Sequence, residues 1–141
     1  MIVLAELLGE HQELERLADG FKAIVRAPVP DAAAVAAVRW QLVRAFIDHW
    51  EREDRLVYDL LLASGDARAT ALTWAFRQEF GTLREEMRRY VTEWPVDRIS
   101  REWQAFQEHT FGLATRVDAR REQEEKQLYP QARRVIGRRA A

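Results

Sequence analysis

The sequence predicts an all-α protein, an antiparallel up-down four-helix bundle in a single domain over residues 1–141. Three observations predict it. Apolar residues recur at the helical period in four segments, short links bearing proline or glycine separate those segments, and no alternating strand pattern or glycine-rich phosphate loop interrupts them.

The first helix is predicted from about Leu4 to Val25, with Leu4, Leu7, Leu8, His11, Leu14, Ala18 and Phe21 on one stripe. Ala27-Pro28-Val29-Pro30 ends it, because proline lacks a donor and restricts the residue before it. Asp31 is placed to cap the second helix. The stripe of that helix is Val35, Val38, Leu42, Phe46, His49, Glu53, Leu56 or Val57, and Leu60. Ser64-Gly65-Asp66 closes it and offers the next cap. The third helix runs to about Val91 on Leu72, Phe76, Phe80, Leu83, Met87 and Tyr90, and Trp94-Pro95 breaks it. Asp97 or Ser100 starts the fourth, which turns Trp103, Phe106, Leu113, Val117, Arg120, Glu124 and Leu128 inward. Pro130 is expected to stop or kink this helix, and Gln131 to Ala141 to form a short basic tail carrying Arg133, Arg134, Arg138 and Arg139.

Hydrophobic residues make up 48% of the chain and charged residues 32%, a globular balance able to bury a core. The net charge of −1 gives no case for nucleic acid or an anionic membrane as partner. Cysteine is absent, which excludes disulfides and thiolate metal sites. MIVLAELLGEHQ has no basic n-region and meets Glu6 and Glu10 early, so the expected location is cytoplasmic. Arginine far outnumbers lysine, present only as Lys22 and Lys126, which with the many alanines suggests a GC-rich bacterial genome. Only Ser64 and Ser100 are serines, each placed to cap a helix, so no hydrolytic triad can be drawn. The tryptophans Trp40, Trp50, Trp74, Trp94 and Trp103 are dispersed as packing residues. Those on helix faces leave a homodimer and a monomer both open, and any protein partner is unknown.

Charged groups do not belong in a core stripe unless something pairs them. Yet His11 lies mid-stripe on the first helix, and His49 and Glu53 are spaced i, i+4 on the second, about 6 Å apart along the axis. Glu124 lies on the fourth, with Arg120 one turn before it. Imidazoles and carboxylates projecting inward from several helices are how bundles hold metal, and this donor set suits iron or zinc. The sequence also echoes itself. His49 and Arg120 are each followed by an acidic pair four and five residues on and by a tyrosine nine residues on, Tyr58 and Tyr129.

These residues resemble the hemerythrin-like, or HHE cation-binding, family. His11 looks like its first histidine. His49-x-x-x-Glu53-Asp54-x-x-x-Tyr58 is similar to its second-helix motif, and Glu79-Phe80-x-x-Leu83-Arg84 to its third, Glu-His-x-x-Leu-Arg. Arg120-x-x-x-Glu124-Glu125-x-x-Leu128-Tyr129-Pro130 resembles its last, His-x-x-x-Glu-Glu-x-x-Leu-Phe-Pro. The resemblance covers about residues 5 to 131. It implies a pair of irons bridged by two carboxylates, with histidines completing the shell, in proteins that bind oxygen or act on or sense nitric oxide, peroxide or iron.

The departures fall on the ligands. Phe80 and Arg120 stand where the resemblance calls for histidine, and no histidine lies between Gln12 and Asp48. His109 lies about 16 Å along the helix from Arg120 and is not counted as a ligand. Four candidate metal ligands remain: His11, His49, Glu53 and Glu124.

Three states fit them. A di-iron site would recruit water, Tyr58, Tyr129 or Glu79. A single iron or zinc would use the four candidates alone. In the third state no metal is held, and the Arg120 guanidinium supplies the positive charge, reaching Glu124 along the helix or Glu53 across the bundle with bidentate geometry. Phe80 then fills the vacated imidazole space, and Gly81 lets backbones approach. The third is the reading adopted: a metal-free or weakly metal-binding regulatory or interaction module, not an enzyme. It predicts that Arg120→Ala strongly destabilises the protein. The alternative is a mononuclear or di-iron protein that binds or senses oxygen, nitric oxide or iron.

Overall fold

A computed structural model describes residues 2–140, with the side chains of Ile2, Arg139 and Ala140 outside that description. The basic-tail expectation for Arg139 therefore lies outside the described residues. Every element among them is helical: α1 (Ile2–Val25), α2 (Ala32–Glu53), α3 (Asp59–Leu62), α4 (Ala67–Phe80), α5 (Leu83–Glu93), α6 (Val96–Arg101), α7 (Trp103–Gln123) and α8 (Tyr129–Ala140). Two π-helical segments, Asp54–Tyr58 and Glu124–Leu128, join α2 to α3 and α7 to α8 without interrupting the rod.

The expected caps form where an acidic side chain meets a free helix N-terminus. Asp31 accepts from the Ala34 amide at 3.1 Å, and Asp66 from the Ala69 amide at 2.9 Å. Gly65 adopts φ +73°, the left-handed turn between α3 and α4 that glycine tolerates. α1 packs on α2 and α7, α5 on the same two helices, and α4 against α3 and α8. Leu7, Val35, Val57, Leu61, Leu83 and Phe106 are fully buried between them, each contributing about 1.5–3 kcal/mol.

The structure departs from the sequence expectations in five places. The third helix is broken at Gly81 and Thr82, and a Cβ at Gly81 would strike the carbonyl oxygen of Arg77 one turn earlier. Glycine is thus required by its own chain, not by approach to a neighbouring helix. Neither Asp97 nor Ser100 caps the fourth helix. α6 begins directly after Pro95, Ser100 lies inside it, and a kink at Glu102 precedes α7. Pro130 does not stop the chain. The helix runs on through it, directly after the second π segment.

The basic tail is helical, and its arginines are not all solvated: Arg134 and Arg138 clamp Asp66 at 2.7 and 2.8 Å. Last, after Glu53 the stripe continues through Val57, one of the two expected positions, and then Leu61 in place of Leu60, because the π turn inserts a residue and rotates the register. Of the tryptophans, Trp50, Trp94 and Trp103 are buried, whereas Trp40 and Trp74 are 64% and 57% exposed.

Candidate metal centre

The polar residues of the stripes meet in one buried cluster. His11 comes from α1, His49 and Glu53 from α2, Arg120 from α7 and Glu124 from the second π segment, all buried. Each carboxylate sits at the edge of a π turn, and the tyrosine five residues on crosses to the other carboxylate. Tyr129 Oη donates to Glu53 Oε2 at 2.5 Å, and Tyr58 Oη to Glu124 Oε2 at 2.7 Å. The sequence echo is therefore a reciprocal exchange of phenol donors. Tyr58 and Tyr129 were legible as spare oxygens, but nothing in the spacing showed the crossing.

Arg120 closes the cluster. Its Nη2 donates to Glu53 Oε1 at 3.0 Å and its Nε to Glu124 Oε2 at 3.1 Å, so the guanidinium bridges both carboxylates instead of clasping one. Its face lies 4.9 Å from the Trp50 ring centroid and 5.6 Å from that of Tyr58. Burial disfavours its charge, but Glu124, Tyr58 and Glu53 together raise its pKa further. Phe80 is buried and packs against Phe76. Glu79 is exposed and takes no part.

The two glutamates are electrostatically unlike. Burial would push Glu53 up, yet the neighbouring Glu124, His11 and His49 side chains, with the charge of Arg120, hold it well below the usual carboxylate range. Burial and the neighbouring Glu53 charge push Glu124 well above it. Two carboxylates beside one fixed cation share a single net charge between them.

The imidazoles face Glu53. His11 Nε2 lies 3.4 Å and His49 Nε2 3.3 Å from Glu53 Oε2, and Tyr129 Oη is 3.3 Å from His11 Nε2. His49 Nδ1 is bound to Glu10 Oε1 at 2.8 Å, and Glu10 is itself paired with Arg52. Sequence reasoning missed Glu10, although its place one residue before His11 and facing the second helix was the available signal. This contact fixes the ring of His49, with Nδ1 held by Glu10 and Nε2 turned toward Glu53. His49 Nε2 has no hydrogen-bond partner among the described residues, although it is buried.

One donor atom each from His11, His49 and Glu53 lie within 4.8 Å of one another. Donors about 2.1 Å from one ion are about 3.0 Å apart at a right angle and about 3.4 Å apart at the tetrahedral angle. The two imidazole-to-carboxylate distances fall in or near that range, so these residues fit one divalent cation. Glu124 does not join that group. Its Oε1 reaches only His11, at 3.7 Å. Arg120 takes up one oxygen of each carboxylate, Glu53 Oε1 and Glu124 Oε2. His109 is not near the cluster. It accepts from Trp94 Nε1 at 2.8 Å and stands edge-on to Tyr90.

This geometry defines a buried carboxylate–imidazole cluster, closed by an arginine, in an all-helical protein. The Hemerythrin HHE cation binding domain model matches residues 3–132, and the chain belongs to that family. No curated protein and no solved structure gives a match. Among the described residues, no helix is long and apolar enough to cross a membrane.

Proposed function

We propose that this chain is a hemerythrin-family regulatory or interaction module in which Arg120 stands permanently for one metal, so the core binds one divalent cation weakly or none. The observation that carries this is the single guanidinium bonded to both glutamates, at 3.0 and 3.1 Å. A fixed cation there satisfies the carboxylates without iron and repels a second charge. The helices are taken as an antiparallel up-down four-helix bundle in one domain, a reading supported by the packing of α1 and α5 against both α2 and α7. A cytoplasmic protein, and a partner or second copy held by an outer face, follow as parts of the same proposal.

The unpartnered His49 Nε2 favours a second reading, in which His11, His49 and Glu53 hold one iron or zinc, with Glu124 nearby. A bound ion would supply Lewis acidity toward a small ligand such as oxygen or nitric oxide. The chain's own part would be to orient His49 through Glu10 and to keep Glu53 ionised through Arg120 and Tyr129.

Metal content by mass spectrometry decides between these readings, on protein expressed with iron supplementation and then dialysed against a mild chelator. The expected result is no metal above background after dialysis. A single metal per chain that survives dialysis and is lost in His49→Ala would establish the second reading. A pair of irons per chain with oxo-bridged absorption would overturn both.

A further inference from the structure

A second buried arginine lies away from the metal centre. Arg39 of α2 is only 7% exposed, and no acidic side chain among the described residues pairs with it. Its Nη1 is buried and has no hydrogen-bond partner among them. Its guanidinium stands 5.6 Å from the Tyr90 ring centroid, and burial lowers its pKa. An isolated buried charge of this kind is costly, and proteins rarely keep one without a counterion.

Arg39 lines a cavity of about 50 Å³ bounded by α1, α2, α5 and α7. Phe21, Leu42, Phe46, Met87 and Val117 make most of its wall apolar. The remaining charges on the wall, Lys22 and Asp118, neutralise each other at 3.1 Å. Arg39 is therefore the one uncompensated charge on this lining. The Tyr90 hydroxyl, pushed up to about 12 by burial, stays protonated at neutral pH and is bonded to Thr110 Oγ1 at 2.6 Å.

Since one water needs roughly 10–15 Å³ of such space, the cavity holds a molecule of about four or five heavy atoms. A phosphate or sulfate would leave most of its oxygens facing carbon. A carboxylate puts both oxygens on one guanidinium and offers an alkyl end to the apolar wall.

We propose that this cavity binds a short-chain aliphatic monocarboxylate of about propanoate size, its carboxylate on Arg39 and its alkyl chain among Phe21, Leu42 and Val117. The site is independent of the metal centre and of how that centre is occupied.

The test is calorimetric titration and thermal unfolding of the full chain with sodium propanoate. Propan-1-ol serves as the uncharged control, and sodium chloride at matched ionic strength as the simple-ion control. Propanoate is expected to bind saturably with a dissociation constant in the millimolar range or tighter and to raise Tm, with no such response to either control. Arg39→Met, which keeps the side-chain bulk, is expected to weaken binding at least about tenfold. Ala114→Leu, which fills the cavity and leaves Arg39 in place, is expected to abolish it. No saturable binding by the unaltered chain, an equal response to chloride, or propanoate affinity unchanged in Ala114→Leu would each overturn the proposal.

Discussion

Arg120 and Arg39 are both buried arginines, 5% and 7% exposed, on helices that line the same core. Arg120 has a carboxylate on each side and aromatic rings against its face, and its pKa is raised. Arg39 has one ring and no carboxylate, and its pKa is lowered. Equal burial thus hides opposite energetics. Arg120 completes a site that its own chain satisfies, whereas Arg39 leaves a charge for something outside the chain to satisfy. Burial alone does not say whether a charged group is structural or waiting for a ligand; its partners do.

The sharpest way to break this contrast is to remove both guanidiniums. Arg120→Met is expected to cost about 3–5 kcal/mol in urea denaturation, because it strands Glu53 and Glu124 in the core. Arg39→Met is expected to change stability by less than about 0.5 kcal/mol, or to raise it, since it removes a charge that nothing pairs. Comparable losses in the two variants would mean that Arg120 is no better compensated than Arg39.

The glutamates refine the picture of the satisfied site. Glu53→Gln removes an ionised partner of Arg120 and is expected to cost about 3 kcal/mol at neutral pH. Glu124→Gln imitates the protonated acid and is expected to cost about 1 kcal/mol or less. Their pH signatures have opposite sign. The folded pKa of Glu53 is depressed, so its contribution is present above the ordinary carboxylate value of 4.5 and is lost as pH falls through the folded value. The folded pKa of Glu124 is raised, so its contribution is complete below 4.5 and is lost as pH rises through the folded value. Stability of Glu124→Gln should accordingly fall less than that of the unaltered chain as pH is raised from 4.5. Equal costs for the two variants would show that the proton is not held on Glu124.

A smaller effect belongs to the corner where α3 meets α4. Asp66 caps α4 and is clamped by Arg134 and Arg138, and these contacts, led by the bond from Arg134, lower its pKa. Asp66→Ala is expected to lower the urea midpoint, because α4 loses its N-cap. An unchanged midpoint would mean that α8 is held by its apolar face alone.

Much of this molecule was legible before its structure. Helical period, proline links and aspartate caps mark the arms because each is a local signal: a stripe, a missing donor, a short acceptor. His11, His49, Glu53 and Glu124 stood out because a polar residue on an apolar stripe demands a partner, and the structure brings all four to one cluster around Arg120. The π turns after Glu53 and before Tyr129 were not legible, since one inserted residue shifts a stripe without changing its composition. Glu10 was passed over because a glutamate beside a stripe reads as solvent-facing until a second helix supplies its histidine.

Sequence by itself determined the helical class and the polar inventory of the core, because those follow from residue type and period along one chain. Only the tertiary structure decided that Arg120 spans both carboxylates, that the tyrosines cross between arms, and that Arg39 faces a cavity with no counterion. Those are relations between residues as many as 76 positions apart, as in the bond from Tyr129 to Glu53. No local pattern encodes them, because they depend on which faces the helices turn to one another when the core closes.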